Sequence, residues 1–371
     1  MRVGINATCL NDRPSGAKQR FLGIYGALFK SMPDTEFVIF EPRDCQVGEW
    51  FSGQVNVVAR KTPIPSEGSR VCKVMAGWGY WRQSFSKDSF DLFEALHLPM
   101  VSPLNGKAIL TIHDVRGLHE DNRLIDRKLF ASVLRKALRS ADHVVTVSVA
   151  MRDEILAFYP STPVSVVYNG LDVSSFAKVT QADCKKFLAK YGLPRDFLLA
   201  VGHFEQRKNY PRLIEAIALL KQRGLDCQLV IVGNDSGEGA ILARQISDLN
   251  LVGSISLLTG LSDLEVRCAY LLSSLFVFPS CYEGFGIPIL EAMAAKCPMV
   301  LSDLPVFREI TEDQSIYFPS ENVEAMADAI ELGIASTKLR IKMVDYGTSR
   351  VNDFSFNRLS QGMKEVYQKC Q

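Results

Sequence analysis

At 371 residues the chain is long enough for two domains, and 47% apolar side chains supply cores for both. A net charge of +1 excludes a general affinity for nucleic acid or other polyanions, and no apolar run approaches the ~18 residues of a membrane-spanning helix. The nine cysteines contain no C-x-x-C pair, which points to reduced thiols in a cytosolic protein rather than to a disulfide framework or a zinc site.

The amino terminus lacks the long apolar core of a signal peptide and opens as a strand from Val3 to Ala7. A turn at Ser15-Gly16-Ala17-Lys18 leads into a helix from Gln19 to Ser31. Gly16, between a first strand and a first helix, either cradles a phosphate or sugar of a donor or simply makes the turn. Strands follow at Phe37 to Phe40 and Val55 to Ala59. The stretch 60–87 reads as less regular. It carries Arg60, Lys61, Arg70, Lys73, Arg82 and Lys87 among Trp78, Tyr80 and Trp81. Mixed cations and indoles suit a membrane surface; the competing reading turns the aromatics into the core.

Asp91 to Leu98 and Ala108 to Ile112 read as strands, the second ending in His113-Asp114. Ligands of doubly wound sheets bind beyond the carboxyl ends of strands, where this pair falls. His113 suits a hydrogen bond to a sugar hydroxyl or support for charge at a reacting carbon, and Asp114 either orients it or caps the next segment. Leu124 to Ser140 is a basic amphipathic helix with a solvated cationic face. Val144 to Val149 is a buried strand whose Ser148 caps the next helix. Val164 to Tyr168 leads to the turn Asn169-Gly170, after which the pattern restarts.

The second half alternates regularly. Strands at Phe197 to Val201, Gln228 to Val232, Ser254 to Leu258, Leu275 to Phe278, Met299 to Ser302 and Ser315 to Phe318 are separated by helices at Pro211 to Arg223, Ala240 to Leu249, Asp263 to Ser273, Pro288 to Ala295 and Pro305 to Ile310. Helices at Asn322 to Gly333 and Asn357 to Lys369 follow. Such alternation predicts a parallel sheet covered on both faces, hence an α/β protein of two doubly wound domains. The boundaries fall at 1–171 and 172–354, with a last helix at 355–371.

Chemistry concentrates in two loops. After Val201 comes Gly202-His203-Phe204-Glu205-Gln206-Arg207-Lys208-Asn209. Two adjacent cations beyond a strand end suit a diphosphate leaving group, whose charge grows as its bond to sugar breaks. After Phe278 comes Pro279-Ser280-Cys281-Tyr282-Glu283-Gly284-Phe285-Gly286-Ile287-Pro288, a strand, glycine loop and helix start of the kind that receives anions. Glu283 and, eight residues on, Glu291 are acids at such a site, so they serve something other than the anion. Sugar hydroxyls fit, and together the features describe a nucleotide sugar. Gly233-Asn234-Asp235 and Thr259-Gly260-Leu261 end two more strands of the same sheet. No D-x-D sequence is present to hold a divalent ion.

The Glu-x7-Glu unit with Gly-Phe-Gly after its first Glu resembles the signature of the retaining glycosyltransferases of family 4, including bacterial polysaccharide and O-antigen mannosyltransferases. Gly202 to Lys208, the strand end Thr111-Ile112-His113-Asp114 and the turn Asn169-Gly170 are similar to that family too; the first glycine loop is poorer than the family's, with Gly16 alone. The resemblance implies a GT-B fold of two Rossmann-like domains facing across a cleft. The amino-terminal domain would take the acceptor and the second the nucleotide sugar, and the last helix would return to the first. It implies Glu283, His113 and Lys208 as catalytic residues. Donor binding would fall to Gly16, Arg207, Lys208, Gly233, Leu261, Gly284, Phe285, Gly286 and Glu291, with neither metal nor cofactor. The donor would be GDP- or UDP-linked, with mannose favoured, and the acceptor a glycan or lipid-linked saccharide. The enzyme would be cytoplasmic, with peripheral membrane contact through 60–87. A sugar-nucleotide epimerase of the same shape and a non-catalytic nucleotide-sugar-binding module are the alternatives; the Glu-x7-Glu unit argues against the first and the intact Arg207, Lys208, Glu283 and Glu291 set against the second.

Overall fold

The structure is a computed structural model and describes residues 1–13, 15–68, 70–103, 105–119 and 124–371, with Arg70, Val71, Cys72, Val74 and Trp78 described by their backbone only. The chain divides into two compact units, one of residues 1–170 and 354–371 and one of residues 171–353.

The first unit holds seven strands: β1 (Arg2–Asn6), β2 (Glu36–Glu41), β3 (Val57–Lys61), β4 (Leu92–Ala95), β5 (Lys107–Ile112), β6 (His143–Thr146) and β7 (Val164–Val166). They form one parallel sheet in the order β3-β2-β1-β4-β5-β6-β7. Val38, Ile39, Phe40, Ile109, Leu110, Val144 and Val145 are buried. Such continuous apolar runs, rather than alternation, are what burial on both faces requires. Pairing of β3 starts at Phe37↔Val57. Val55 is fully exposed, so it lies outside the strand that its β-branched side chain suggested.

The stretch 60–87 differs most from the sequence reading. Lys61 ends β3, and Arg70–Lys87 is a single helix of 18 residues. Trp81 and Phe85 are buried in an aromatic cluster with Phe40, Phe90 and Phe93, Trp81 lying 5.1 Å from Phe40 and 5.6 Å from Phe85 between ring centroids. The Trp81 indole is therefore spent on the core and not offered to a membrane. Tyr80 packs beside it, Arg60 pairs with Asp88, and the Arg70 and Trp78 side chains lie outside the described residues.

Residues 354–371 are fastened to the first unit by a buried polar network as well as by packing. Leu359, Met363, Val366 and Tyr367 join the core of β1, β2, β4 and β5. The fully buried Glu94 accepts from Tyr25 at 2.6 Å and also from Thr111 and Tyr367. Buried Arg20 donates to the carbonyls of Val167 at 2.8 Å and Tyr168 at 2.7 Å and to Asn169 Oδ1 at 3.1 Å. A buried charge is tolerated only when it is hydrogen-bonded; three elements distant in sequence bond Glu94, while Arg20 is held by segment 167–169 with its Nε left without a partner. Gly170 has no room for a side chain, since a Cβ there would stand 2.7 Å from Phe354 O.

The second unit holds β8 (Leu198–Val201), β9 (Leu229–Val232), β10 (Ile255–Leu258), β11 (Leu275–Phe278), β12 (Met299–Ser302) and β13 (Ile316–Phe318), parallel and ordered β10-β9-β8-β11-β12-β13. Two helices absent from the sequence reading flank them. Gln181–Tyr191 begins at a reciprocal cap between Thr180 and Asp183 and ends at Gly192 with φ 63°; Thr337–Arg350 begins at the Ser336 cap. Both are largely polar, so their apolar periodicity is thin; the Thr-x-x-Asp pattern was the legible signal for the first. Strand order reverses between β8 and β11, which makes their carboxyl ends the switch point of the sheet, the place where doubly wound folds bind ligands.

Candidate active site

The loops that leave β8 and β11 are bound to each other. Cys281 N donates to Arg207 O at 2.8 Å. Asn209, in the left-handed conformation at φ 58°, donates from Nδ2 to Pro279 O at 3.1 Å and to Ser320 O at 2.7 Å. Asn tolerates that conformation better than most residues, and its side chain links the ends of three strands. Gly202 at φ 152° lets the Lys208 side chain pass: a Cβ there would stand 2.7 Å from Lys208 Cε.

These constraints bring Lys208, Arg207 and Glu283 together. Lys208 Nζ donates to Glu283 Oε1 at 2.7 Å, Arg207 Nη1 lies 2.8 Å from the same oxygen, and Ser280 Oγ donates to it at 2.9 Å. Lys208 Nζ also lies 4.8 Å from the centroid of the Phe278 ring. Arg207 Nε donates to Glu205 Oε2 at 2.9 Å. The Lys208 and Glu283 side chains are only 7% and 11% exposed, so the pair acts in a medium far less screening than water.

Burial alone would raise the Glu283 pKa, but Lys208 and Arg207 outweigh it and hold the carboxyl below its ordinary range. Burial, helped by the charge of Arg207, draws Lys208 below its ordinary range against the pull of Glu283. Arg207 is raised: burial opposes its charge, and Glu283 and Glu205 prevail. Glu291 goes the other way. Burial pushes its carboxyl up, with Asp263 adding to the push and Tyr270 and Arg267 opposing it. The buried Tyr270 hydroxyl faces this carboxyl without a closed hydrogen bond. The two acids of the motif, alike in sequence, thus have opposite electrostatics, the arrangement by which one site keeps one carboxyl ionised and makes another easier to protonate.

The remaining sequence candidates fall as follows. Gly286, at φ 125°, precedes the helix Ile287–Ala294, and a Cβ there would crowd Phe307 at 3.1 Å. The Phe285 ring is buried, so a ligand would meet its backbone; Gly284 sits beside it in the same loop. Gly233 is dictated by packing, since a Cβ would stand 1.9 Å from Gly202 O. Leu261 is half-buried and precedes Ser262, which caps the next helix. Among the described residues no group of three or more His, Cys, Asp or Glu side chains is placed to hold a metal ion.

His113 and Gly16 belong to the first unit. Gly16 is the first residue of its helix, behind the Ser15 cap. His113 lines a small cavity with Cys9, Arg20, Tyr25 and Leu96; burial, with the charge of Arg20, lowers its pKa to about 3. Its imidazole is therefore neutral at pH 7, the form that offers one hydrogen-bond donor and one acceptor. Asp114 accepts from Arg116 N at 3.2 Å and opens the turn that follows. Sequence reasoning missed Ser280, Glu205 and Tyr270, and missed His97, whose Nε2 is 3.0 Å from Thr8 Oγ1 at the ends of β4 and β1. Ser280 and Glu205 stood inside the two loops already singled out; nothing in the sequence pairs Tyr270 with Glu291 or Thr8 with His97.

Two doubly wound parallel sheets, the second with a charged switch point, are the make-up of the GT-B fold. The family model for glycosyl transferases group 1 matches residues 185–350, and that for glycosyltransferase family 4 matches residues 37–175; the chain belongs to this family of enzymes. It is similar to the O-antigen chain mannosyltransferase RfbU of Salmonella typhimurium, 27% identical over 71% of this chain and 69% of the relative. It is also similar to the phosphatidyl-myo-inositol mannosyltransferase of Mycobacterium tuberculosis, 26% identical over 83% and 82%. Among solved structures, Anabaena Alr3699/HepE in complex with UDP superposes with a TM-score of 0.74 at 16% identity, over 99% of each chain. No helix among the described residues is long and apolar enough to cross a membrane.

Proposed function

We propose that the chain is a retaining, metal-independent hexosyltransferase that moves mannose from a nucleotide-diphosphate sugar, GDP- or UDP-linked, to a glycan or lipid-linked acceptor in the assembly of a bacterial surface polysaccharide. The observation that carries the reading is the convergence of Arg207 and Lys208 on Glu283 at the switch point of the second sheet. Two fixed cations there suit a departing diphosphate and supply without a metal the positive charge that its transition state needs. Glu283, kept ionised, accepts hydroxyls of the donor sugar and supports positive charge at its anomeric carbon. Glu291 serves the ribose, and neutral His113, in the first unit, is a hydrogen-bonding group suited to a sugar hydroxyl.

Retention rests on the Glu-x7-Glu resemblance, and mannose on the likeness to mannosyltransferases. A lipid-linked acceptor brings the enzyme to a membrane. Contact through 60–87 would use the exposed Lys61, Arg82 and Lys87 rather than Trp81.

Calorimetric titration of UDP, GDP and ADP without added metal tests the donor site. Micromolar binding of one nucleotide, lost in Arg207→Ala, is expected. No binding of any of them would refute the reading. Epimer formation in the absence of acceptor would favour an epimerase instead.

A further inference from the structure

The position of Glu205 needs a reason. A carboxylate touching a cation that is meant for a diphosphate opposes the anion on charge alone. With Glu205 and Glu283 against Arg207 and Lys208, the four groups sum to neutrality. The Glu205 side chain is not needed for its own turn. That turn, Gln206–Lys208, shows no side-chain capping bond, and its closure is made by backbone, Lys208 N to Glu205 O at 3.0 Å and Glu205 N to His203 O at 2.8 Å.

The carboxylate meets the guanidinium of Arg207. Glu205 Oε2 takes Nε at 2.9 Å, while Nη1 reaches Glu283 Oε1 at 2.8 Å and Tyr282 O at 3.4 Å. A guanidinium held by its Nε edge has its plane fixed and its Nη end left to grip two oxygens of a phosphate. Glu283 Oε1 is already shared with Lys208 and Ser280, so it can release Arg207 to an incoming oxyanion and keep two partners.

We propose that Glu205 is a positioning residue that locks Arg207 in the orientation that grips a diphosphate, the permanent partner of that cation where Glu283 is the exchangeable one. The inference rests on the donor site proposed above and adds to it a residue that touches no substrate.

Two variants separate orientation from charge, because the two predict opposite signs. GDP and UDP are titrated calorimetrically, without metal, into the full-length wild type, Glu205→Ala, Glu205→Gln and Arg207→Ala, with thermal melting of each. Glu205→Ala is expected to weaken the bound nucleotide about tenfold or more. Glu205→Gln keeps an acceptor oxygen at the same reach and drops the charge, so it is expected to bind as tightly as wild type or more tightly. Wild-type or tighter affinity in Glu205→Ala overturns the proposal, since the carboxylate would then be only an opposing charge. Weakening in both variants together with lowered melting overturns it too, as the mark of a merely structural group. If Arg207→Ala also keeps full affinity, or the wild type binds neither nucleotide, the donor-site reading itself fails and this inference falls with it. Loss in Arg207→Ala beside unchanged Glu205→Ala would overturn the inference alone.

Discussion

Lys208 Nζ and Glu283 Oε1 stand 2.7 Å apart although 75 positions of sequence separate the residues. Neither group would be stable there alone. A buried ammonium or carboxylate without its partner costs several kcal/mol, and each here supplies the other's counter-charge. The pair also joins the two loops that leave β8 and β11, so the chemistry and the integrity of the switch point share one contact.

Lys208→Ala and Glu283→Ala are each expected to lower sugar transfer by about 100-fold or more with unchanged far-UV circular dichroism. Because the two groups act as a unit, the double variant should be no worse than the poorer single one. Turnover with the nucleotide sugar whose nucleotide binds provides the check, and wild-type rates in either single variant would sink the assignment.

Gly202→Ala is expected to weaken nucleotide binding by displacing Lys208, because its Cβ would press on Lys208 Cε at 2.7 Å and on Tyr210 Oη at 3.0 Å. Gly192 gives the contrast. Its φ is 63°, and no atom lies within 4 Å of a Cβ built there, so Gly192→Ala should cost about 1 kcal/mol of stability through backbone strain and leave binding intact. Melting curves and titrations on both variants separate the effects.

Asn209→Ala should destabilise the protein by about 2–4 kcal/mol, since it leaves the carbonyls of Pro279 and Ser320 without their buried donor and puts Ala in a left-handed conformation. Asn209→Gly relieves only the conformation and should recover part of the loss. Urea denaturation of the three proteins measures it.

His113 should make the first unit acid-sensitive. Its folded pKa, about 3, lies below the ordinary 6.5, so the unfolded chain binds the extra proton. Stability attributable to His113 is complete above about pH 6.5 and is lost as the pH falls toward 3. In urea unfolding at pH 4.5 and 7, His113→Gln should lose less stability on acidification than wild type, by up to one proton's worth of slope. An equal loss in both proteins would contradict the burial of a neutral imidazole.

Much of this was legible in the chain. Buried parallel strands announce themselves as unbroken apolar runs, and β11 and β12 have the limits that the sequence predicts, as does the helix Leu124–Ser140. The two loops with Arg207, Lys208, Glu283 and Gly286 stood out by composition. The helix Arg70–Lys87 did not, because cations interleave with its aromatics and blur the period; burial beside Phe40 and Phe93 settled which residues face inward.

The sequence by itself determined the fold class, the order of elements and the residues that carry charge at the strand ends, because these follow from periodicity and local chain chemistry. It could not say which charges meet. Only the tertiary structure decided that Glu283 is held ionised by two cations while burial raises Glu291, that His113 is neutral, and that Glu205 faces Arg207. A pKa depends on burial and on neighbours brought close from far along the chain, and the strand order, not the order of residues, sets those neighbours.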